Sequence, residues 1–167
     1  VPGGVIGITG LDWLVNFLNA EQLKLYAVTE LAGSPKLTST AFQLPIKVHL
    51  INSVLGNNCY VGSEAEPIML NLTVGTTEPP PPNEPISGEE ATYTEENEIV
   101  YLTGATYVDN AFAVPAASGC KLTLLGFIPV SLDSLVNSQA GLPSPAGTNE
   151  TIQEIDIEIA LHESVFP

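Results

Sequence analysis

The sequence predicts a mainly β chain: an antiparallel sandwich or barrel-like domain with one or two short helices. Three observations carry that reading. Apolar and polar residues alternate with period 2 over several short runs. Clusters of Gly, Pro, Asn and Ser punctuate those runs, as turns do in all-β domains. No βαβ rhythm is present, and no phosphate loop or dinucleotide fingerprint follows any run. With 167 residues and 44% hydrophobic content, residues 1–167 have the length of a single domain with a real core.

The chain opens with VPGGVIGITG, a glycine-rich apolar lead. In LDWLVNFLNA, Leu11, Leu14, Val15 and Leu18 recur at i, i+3, i+4 and i+7, and Thr9 with Asp12 resembles a capping box. This predicts a short amphipathic helix that buries Trp13 or Phe17 at the edge of its apolar face. It carries no cation, which argues against a membrane-surface role. From Gln22 the period becomes two: Leu23, Leu25 and Ala27 alternate with Lys24, Tyr26 and Val28 until Ala32-Gly33-Ser34-Pro35. A second strand is expected over Pro45–Ile51, with Ile46, Val48 and Leu50 opposite Lys47, His49 and Ile51.

Gly56-Asn57-Asn58 turns the chain into Cys59. Ile68, Leu70, Leu72 and Val74 then mark one face of a strand that Gly75-Thr76-Thr77-Glu78 ends. Pro79 to Pro82 cannot donate to a ladder, so residues 78–88 read as a stiff, polyproline-like surface connector between two β-rich halves. The acidic run Glu89, Glu90, Glu95, Glu96, Glu98 follows, then β-type runs over Ile99–Thr103, Tyr107–Val114 and Lys121–Ile128. Leu132–Val136 predicts one or two helical turns capped by Ser131, and 141–147 a loop. In Thr151–His162, Ile155, Ile157, Ile159 and Leu161 alternate with Glu154, Asp156, Glu158 and His162. That pattern predicts a strand with one buried and one acidic face.

Nineteen acidic residues face four lysines and no arginine, a formal net charge of −15. Such a surface repels nucleic acid and anionic lipid. No apolar run reaches the roughly 18 residues of a membrane helix, so no membrane insertion is expected. Low charge density with abundant Thr, Ser, Gly, Pro and Asn fits a secreted, extracellular or cell-surface β protein. A chain beginning Val1-Pro2 fits a mature product cut from a longer precursor. Cys59 and Cys120 either pair or remain two buried thiols. An oxidising compartment favours pairing, and closing that loop stabilises by about 4 kcal/mol on a chain-entropy account.

The segments PIKVHLINSVLGNNCYVGS, PIMLNLTVGTTEPPPPNEPISG, YVDNAFAVPAASGCKL and GLPSPAGTNETI, spanning roughly residues 45–152, resemble a family of small secreted actinobacterial proteins. That resemblance implies export, a surface or extracellular location and a Cys59–Cys120 bridge. The family has no assigned activity, so no catalytic residue follows from it.

Candidate chemistry is sparse. His49 and His162 are the only histidines, and neither neighbours a G-x-S-x-G elbow or glycine-rich oxyanion-hole sequence. The acids at 89–98 and the Glu154/Asp156/Glu158 face offer carboxylates for calcium, without the D-x-[DN]-x-[DN]-G loop. Paired carboxylates for glycoside hydrolysis would need burial to raise one pKa, and these lie on exposed-looking segments. Zinc would need the cysteines, which are better matched to each other. Asn71 and Asn149 head glycosylation sequons and are read as unmodified in a bacterial protein, and the tyrosines are too scattered for a sugar platform.

The reading that remains is a non-enzymatic structural protein, without cofactor or metal, whose partners are copies of itself. Its candidate assembly residues are Val1, Val5, Ile6 and Ile8 in the lead, and Ile155, Ile157, Ile159 and Leu161 in the last strand. Either segment can close its own sandwich or add to a neighbour's sheet edge. The alternative class is an adhesion module that binds glycan or calcium.

Overall fold

An eleven-residue strand, β3 (Ala41–Ile51), takes antiparallel partners on both of its edges. It belongs to a computed structural model that describes residues 25–38, 41–96, 99–124 and 127–160. The other elements are β1 (Tyr26–Leu31), β2 (Lys36–Leu37), β4 (Tyr60–Val61), β5 (Ile68–Thr73), β6 (Thr92–Glu96), β7 (Ile99–Asp109), β8 (Ala117–Ser118), β9 (Lys121–Leu124), β10 (Ile128–Ser131), α1 (Asp133–Ala140) and β11 (Thr151–Ala160). Among the described residues, nine strands form one sheet ordered β11-β7-β5-β3-β4-β8. In it β1 and β2 also pair with β3, and β6 with β7. The hairpin β9–β10 is a separate two-stranded sheet. The fold is mainly β and antiparallel with a short helix, as the alternation and turn signals predict. The helix expected over 11–20 lies outside the described residues.

The core follows from register. Pairs Ile46↔Ile68, Leu44↔Leu70 and Phe42↔Leu72 put the apolar residues of β3 and β5 on one face. Ile46, Val48, Leu50, Ile68, Leu70 and Leu72 are buried there, while Met69 and Asn71 face out. The opposing layer is built from loops and α1: Leu55, Phe112, Val114, Ala117 and Val136 close over the sheet around the Cys59–Cys120 disulfide. Val136 is the buried residue of α1. Side chains fasten the helix: Asp133 Oδ1 accepts from Cys120 N–H (2.7 Å), and Asn137 bonds both the N–H and C=O of Ala117 (2.7 and 2.9 Å). The cap position is Leu132 instead of the expected Ser131, whose hydroxyl is only 3.3 Å from Asp133 N.

β3 begins four residues before Pro45, inside a central strand where proline is rare. The Pro45 carbonyl accepts from Ala32 N–H (3.0 Å), on the edge where β1 has ended and β2 not yet begun. The missing N–H points to the same side, into that gap, so pairing with β5 loses no donor.

β7 runs unbroken where the sequence suggested two strands. Gly104, which falls between those two runs, sits at φ +73° in a bulge where the register slips from Ile155↔Ala105 to Ile157↔Leu102. Asp156 Oδ1 accepts its N–H (2.8 Å). β7 ends at Asp109, whose carboxylate takes the N–H groups of Asn71 (2.6 Å) and Ala111 (2.9 Å). The run Lys121–Ile128, read as one strand, holds β9 and the turn into β10.

The proline segment, expected as a connector between halves, folds back on itself. Thr77 bonds Ile86, and Gly88 N–H reaches Gly75 O (3.1 Å), closing the neck of a surface loop between strands of one sheet. Its tip is welded down by buried amides. Thr77 Oγ1 donates to Asn110 Oδ1 (2.7 Å), and Asn110 Nδ2 donates to Glu84 O (2.8 Å). Asn83 Nδ2 donates to the carbonyls of Asn110 and Asn149 (2.9 and 2.8 Å).

Two stability predictions follow from this architecture. Replacing both cysteines, C59A/C120A, should lower unfolding free energy by about 4 kcal/mol, because the crosslink spans 61 residues. Asn110→Ala should lower it by about 2–3 kcal/mol, since Thr77 Oγ1 and Glu84 O lose partners in a site that is 1% exposed. Urea titration of the variants beside the parent chain measures both. A change below about 1 kcal/mol in either would mean the corresponding tie is dispensable.

Candidate functional site

Beyond the Gly104 bulge the sheet continues as a three-stranded wing of β6, β7 and β11. The pairs Tyr93↔Leu102↔Ile157 and Glu95↔Val100↔Ile159 run across it on one face. Ile157 (37%), Ile159 (53%) and Tyr93 (58%) are exposed there, and Leu102 and Val100 are half-buried between them. The expectation that the isoleucine face of the last strand is buried therefore fails for the described residues. The wing extends past the covering layer, and only Ile155, nearer the bulge, is half-buried. Leu161 and His162, like Val1, Val5, Ile6 and Ile8, lie outside the described residues.

The opposite face of the wing is acidic: Glu154 and Glu158 on β11 are exposed, as is Glu96 on β6. The predicted solvated run at 89–98 thus contains an edge strand. Tyr93 donates its hydroxyl to Glu95 Oε2 (2.8 Å), and that hydrogen bond raises the phenol above its ordinary pKa of 10.0. Asp156 is committed to the bulge. Among the described residues, no three His, Cys, Asp or Glu side chains gather as a metal site would require.

A second cluster forms on the outer face of β1, β3 and β4, where Val28↔His49↔Tyr60 and Glu30↔Lys47 pair. The His49 ring stacks on Tyr60 with centroids 4.3 Å apart, and Lys47 Nζ lies 5.1 Å from the same ring centroid. His49 Nε2 is 3.0 Å from Asn57 O, and Nδ1 is 3.4 Å from Glu30 Oε1. Lys47 bridges Glu30 (3.9 Å) and Glu64 (3.4 Å). These contacts use His49 to join β1 to β3 and to the 56–58 turn. Around the cluster Tyr26, Val28 and Ile51 are exposed.

A third exposed apolar group is the β9–β10 hairpin, with Phe127 at 74%, Ile128 at 42% and Val130 at 37%. Sequence reasoning missed it, although KLTLLGFIPVS is an acid-free run in a chain of net charge −15. The two sequons differ. Asn71 is exposed and accepts from Gln43 Nε2 (3.1 Å), whereas Asn149 spends its amide nitrogen on the carbonyls of Phe112 and Pro145 (both 3.0 Å).

Cys59 and Cys120 are joined, as composition and resemblance suggested. No helix among the described residues is long and apolar enough to cross a membrane. No family model, curated protein or solved structure matches the chain.

His49→Ala should loosen β1 in particular. Losing the ring contacts should cost about 1 kcal/mol locally, read as about fivefold faster amide exchange over 26–31 with the core strands unchanged. Unaltered exchange in β1 would show that the ladder alone holds it.

Proposed function

We propose that the chain is a non-enzymatic structural protein of the cell surface or extracellular space, a subunit that joins copies of itself through exposed strands. The observation that carries this is the exposure of Ile157 and Ile159 on the last described strand. Burying apolar surface gains roughly 25 cal/mol per Å². β11 is also an edge, paired with β7 alone among the described residues. An unpaired edge of ten residues is a template for strand addition.

Charge selects what can be added. Two β11 strands side by side would set Glu154, Asp156 and Glu158 against their own kind, which is repulsive. The lead VPGGVIGITG has no charged side chain and supplies Val1, Val5, Ile6 and Ile8, so it is the compatible donor. Donor and acceptor are then different surfaces, and the contact propagates as an open filament. The disulfide and the arginine-free, acidic composition suit an extracellular setting.

Light scattering after size exclusion, beside negative-stain microscopy, tests the reading. Raising salt from about 20 mM to about 500 mM shortens the screening length from about 20 Å to about 4 Å and should increase the assembled fraction. Deleting residues 1–10, or the pair I157S/I159S, should return the protein to monomers. If the parent chain stays near 17.6 kDa at every salt, or if both variants assemble undiminished, the reading fails. Glycan screening would then come next.

A further inference from the structure

We propose that residues 11–18 dock as a helix on the outer face of β1 and β3 of the same chain, over Tyr26, Val28 and Ile51. Tyr26 pairs with Ile51 and Val28 with His49, so the three apolar side chains share one face beside the His49–Tyr60 stack. They are 56%, 42% and 42% exposed. β1, β3 and β4 lie side by side there. At about 4.8 Å between neighbours they make a floor about 10 Å wide, which matches the diameter of a helix. The occupant is Leu11, Leu14, Val15 and Leu18, whose spacing sets an apolar stripe along one side of a helix, with Asp12, Asn16 and Asn19 off it.

Chain length decides which surface this stripe can cover. Leu18 and Tyr26 are eight residues apart, so they lie within about 27 Å of each other. Leu25 packs on the core cluster, which anchors the segment beside the patch itself. The wing is out of range. Ile51 to Ala41 is ten residues along β3, Ala41 is level with Val108 through Thr73, and Val108 to Leu102 adds six along β7. Ile157 is therefore roughly 50 Å from Tyr26 along the strands, at about 3.3 Å per residue. The β9–β10 hairpin starts closer, since Lys121 N–H bonds Leu55 O (2.9 Å), but its two strands give a floor only about 5 Å wide. The inner side of β1 presents Ala27 and Thr29 ahead of Leu31, and these bury little apolar area. With residues 11–18 seated at Tyr26, Ile8 is held within about 10 Å of Leu11. The lead then falls short of Ile157 and Ile159 in its own chain and reaches only a neighbour's. The docking is independent of self-assembly, and only this consequence rests on that reading.

Trp13 is the only tryptophan of the chain and lies at the edge of the stripe, so its fluorescence reads the contact in the full protein. At a dilution where light scattering shows monomers, its emission should be blue-shifted from that of the urea-unfolded chain. V28D/I51D should move the emission to the unfolded position and quicken amide exchange over 11–18 at least about tenfold, with β5 and the disulfide unchanged. A benzophenone side chain at position 14 should form adducts within the same chain on 26–28 or 47–51, and these decide the matter if V28D/I51D fails to fold. Emission at the unfolded position in the parent, or unmoved in the folded variant, overturns the proposal. So do adducts on 121–131, or a blue shift that appears only as copies associate, which would seat the segment on a second copy. Shielded Trp13 in a chain that stays monomeric at every salt concentration would remove self-assembly and leave the docking standing.

Discussion

The Cys59–Cys120 bridge is the constraint on which the two layers depend. Both sulfurs are fully buried, and ties between sheet and cover converge on their neighbours. Leu50 N–H bonds Cys59 O, β4 pairs with β8 through Tyr60↔Ser118, and Asp133 of α1 takes Cys120 N–H. The cover has little regular structure with which to hold itself. The strand that leads into it from the sheet, β8, is two residues long, and its helix of eight buries one side chain. Such elements are too short to persist without tertiary contacts. A crosslink that fixes their position lets Phe112, Val114 and Ala117 complete a core that the sheet begins.

Where the cover has no regular structure, amides substitute for it. Asn83, Asn110 and Asn149 bond backbone carbonyls of loops far apart in sequence, and Asp109 holds Asn71 and Ala111. Loop carbonyls buried without partners would cost more than a sheet ladder leaves exposed, so each tie is both a contact and a remedy. The loops meet so closely that a Cβ at Gly147, φ +82°, would collide with the Pro80 carbonyl. Composition foreshadows this. A chain poor in charge and rich in Asn and Thr can satisfy buried loops mostly with neutral amides, and Asp109 is the buried carboxylate among these ties.

Legibility in the sequence followed the strength of the period. β3 and β5 alternate cleanly and were readable to within a few residues, as was β11. Two-residue strands β4 and β8 leave no periodic trace. β6 is hidden because every position in it is exposed, so its pattern records solvation instead of a face. β7 divides into two runs in the sequence because Gly104 lies between them, and a glycine in a strand signals equally a stop or a bulge. The bulge also corrects a phase error. Without it Ile157 and Ile159 would stand opposite Thr103 and Tyr101; with it they meet Leu102 and Val100. As for the candidate surfaces, periodicity identified the isoleucines of β11 but assigned them to the interior. An amphipathic pattern reports that a face needs cover, not which chain provides it.

The bridge also sets how the molecule would behave under tension. In a chain pulled from its two ends, the segment between Cys59 and Cys120, a sequence separation of 61, forms a closed loop that cannot lengthen. That withholds about 210 Å of contour, taking roughly 3.4 Å per residue. The extensible parts are the segments before Cys59 and after Cys120, which include β1, β3 and β11. β5, β6 and β7 lie inside the loop, so force applied to the chain ends does not pull on them directly, and the β6–β7 hairpin is shielded from the load. Once force is released, β3 and β11 find the strands they left still tethered together, and recoil begins from a shortened chain.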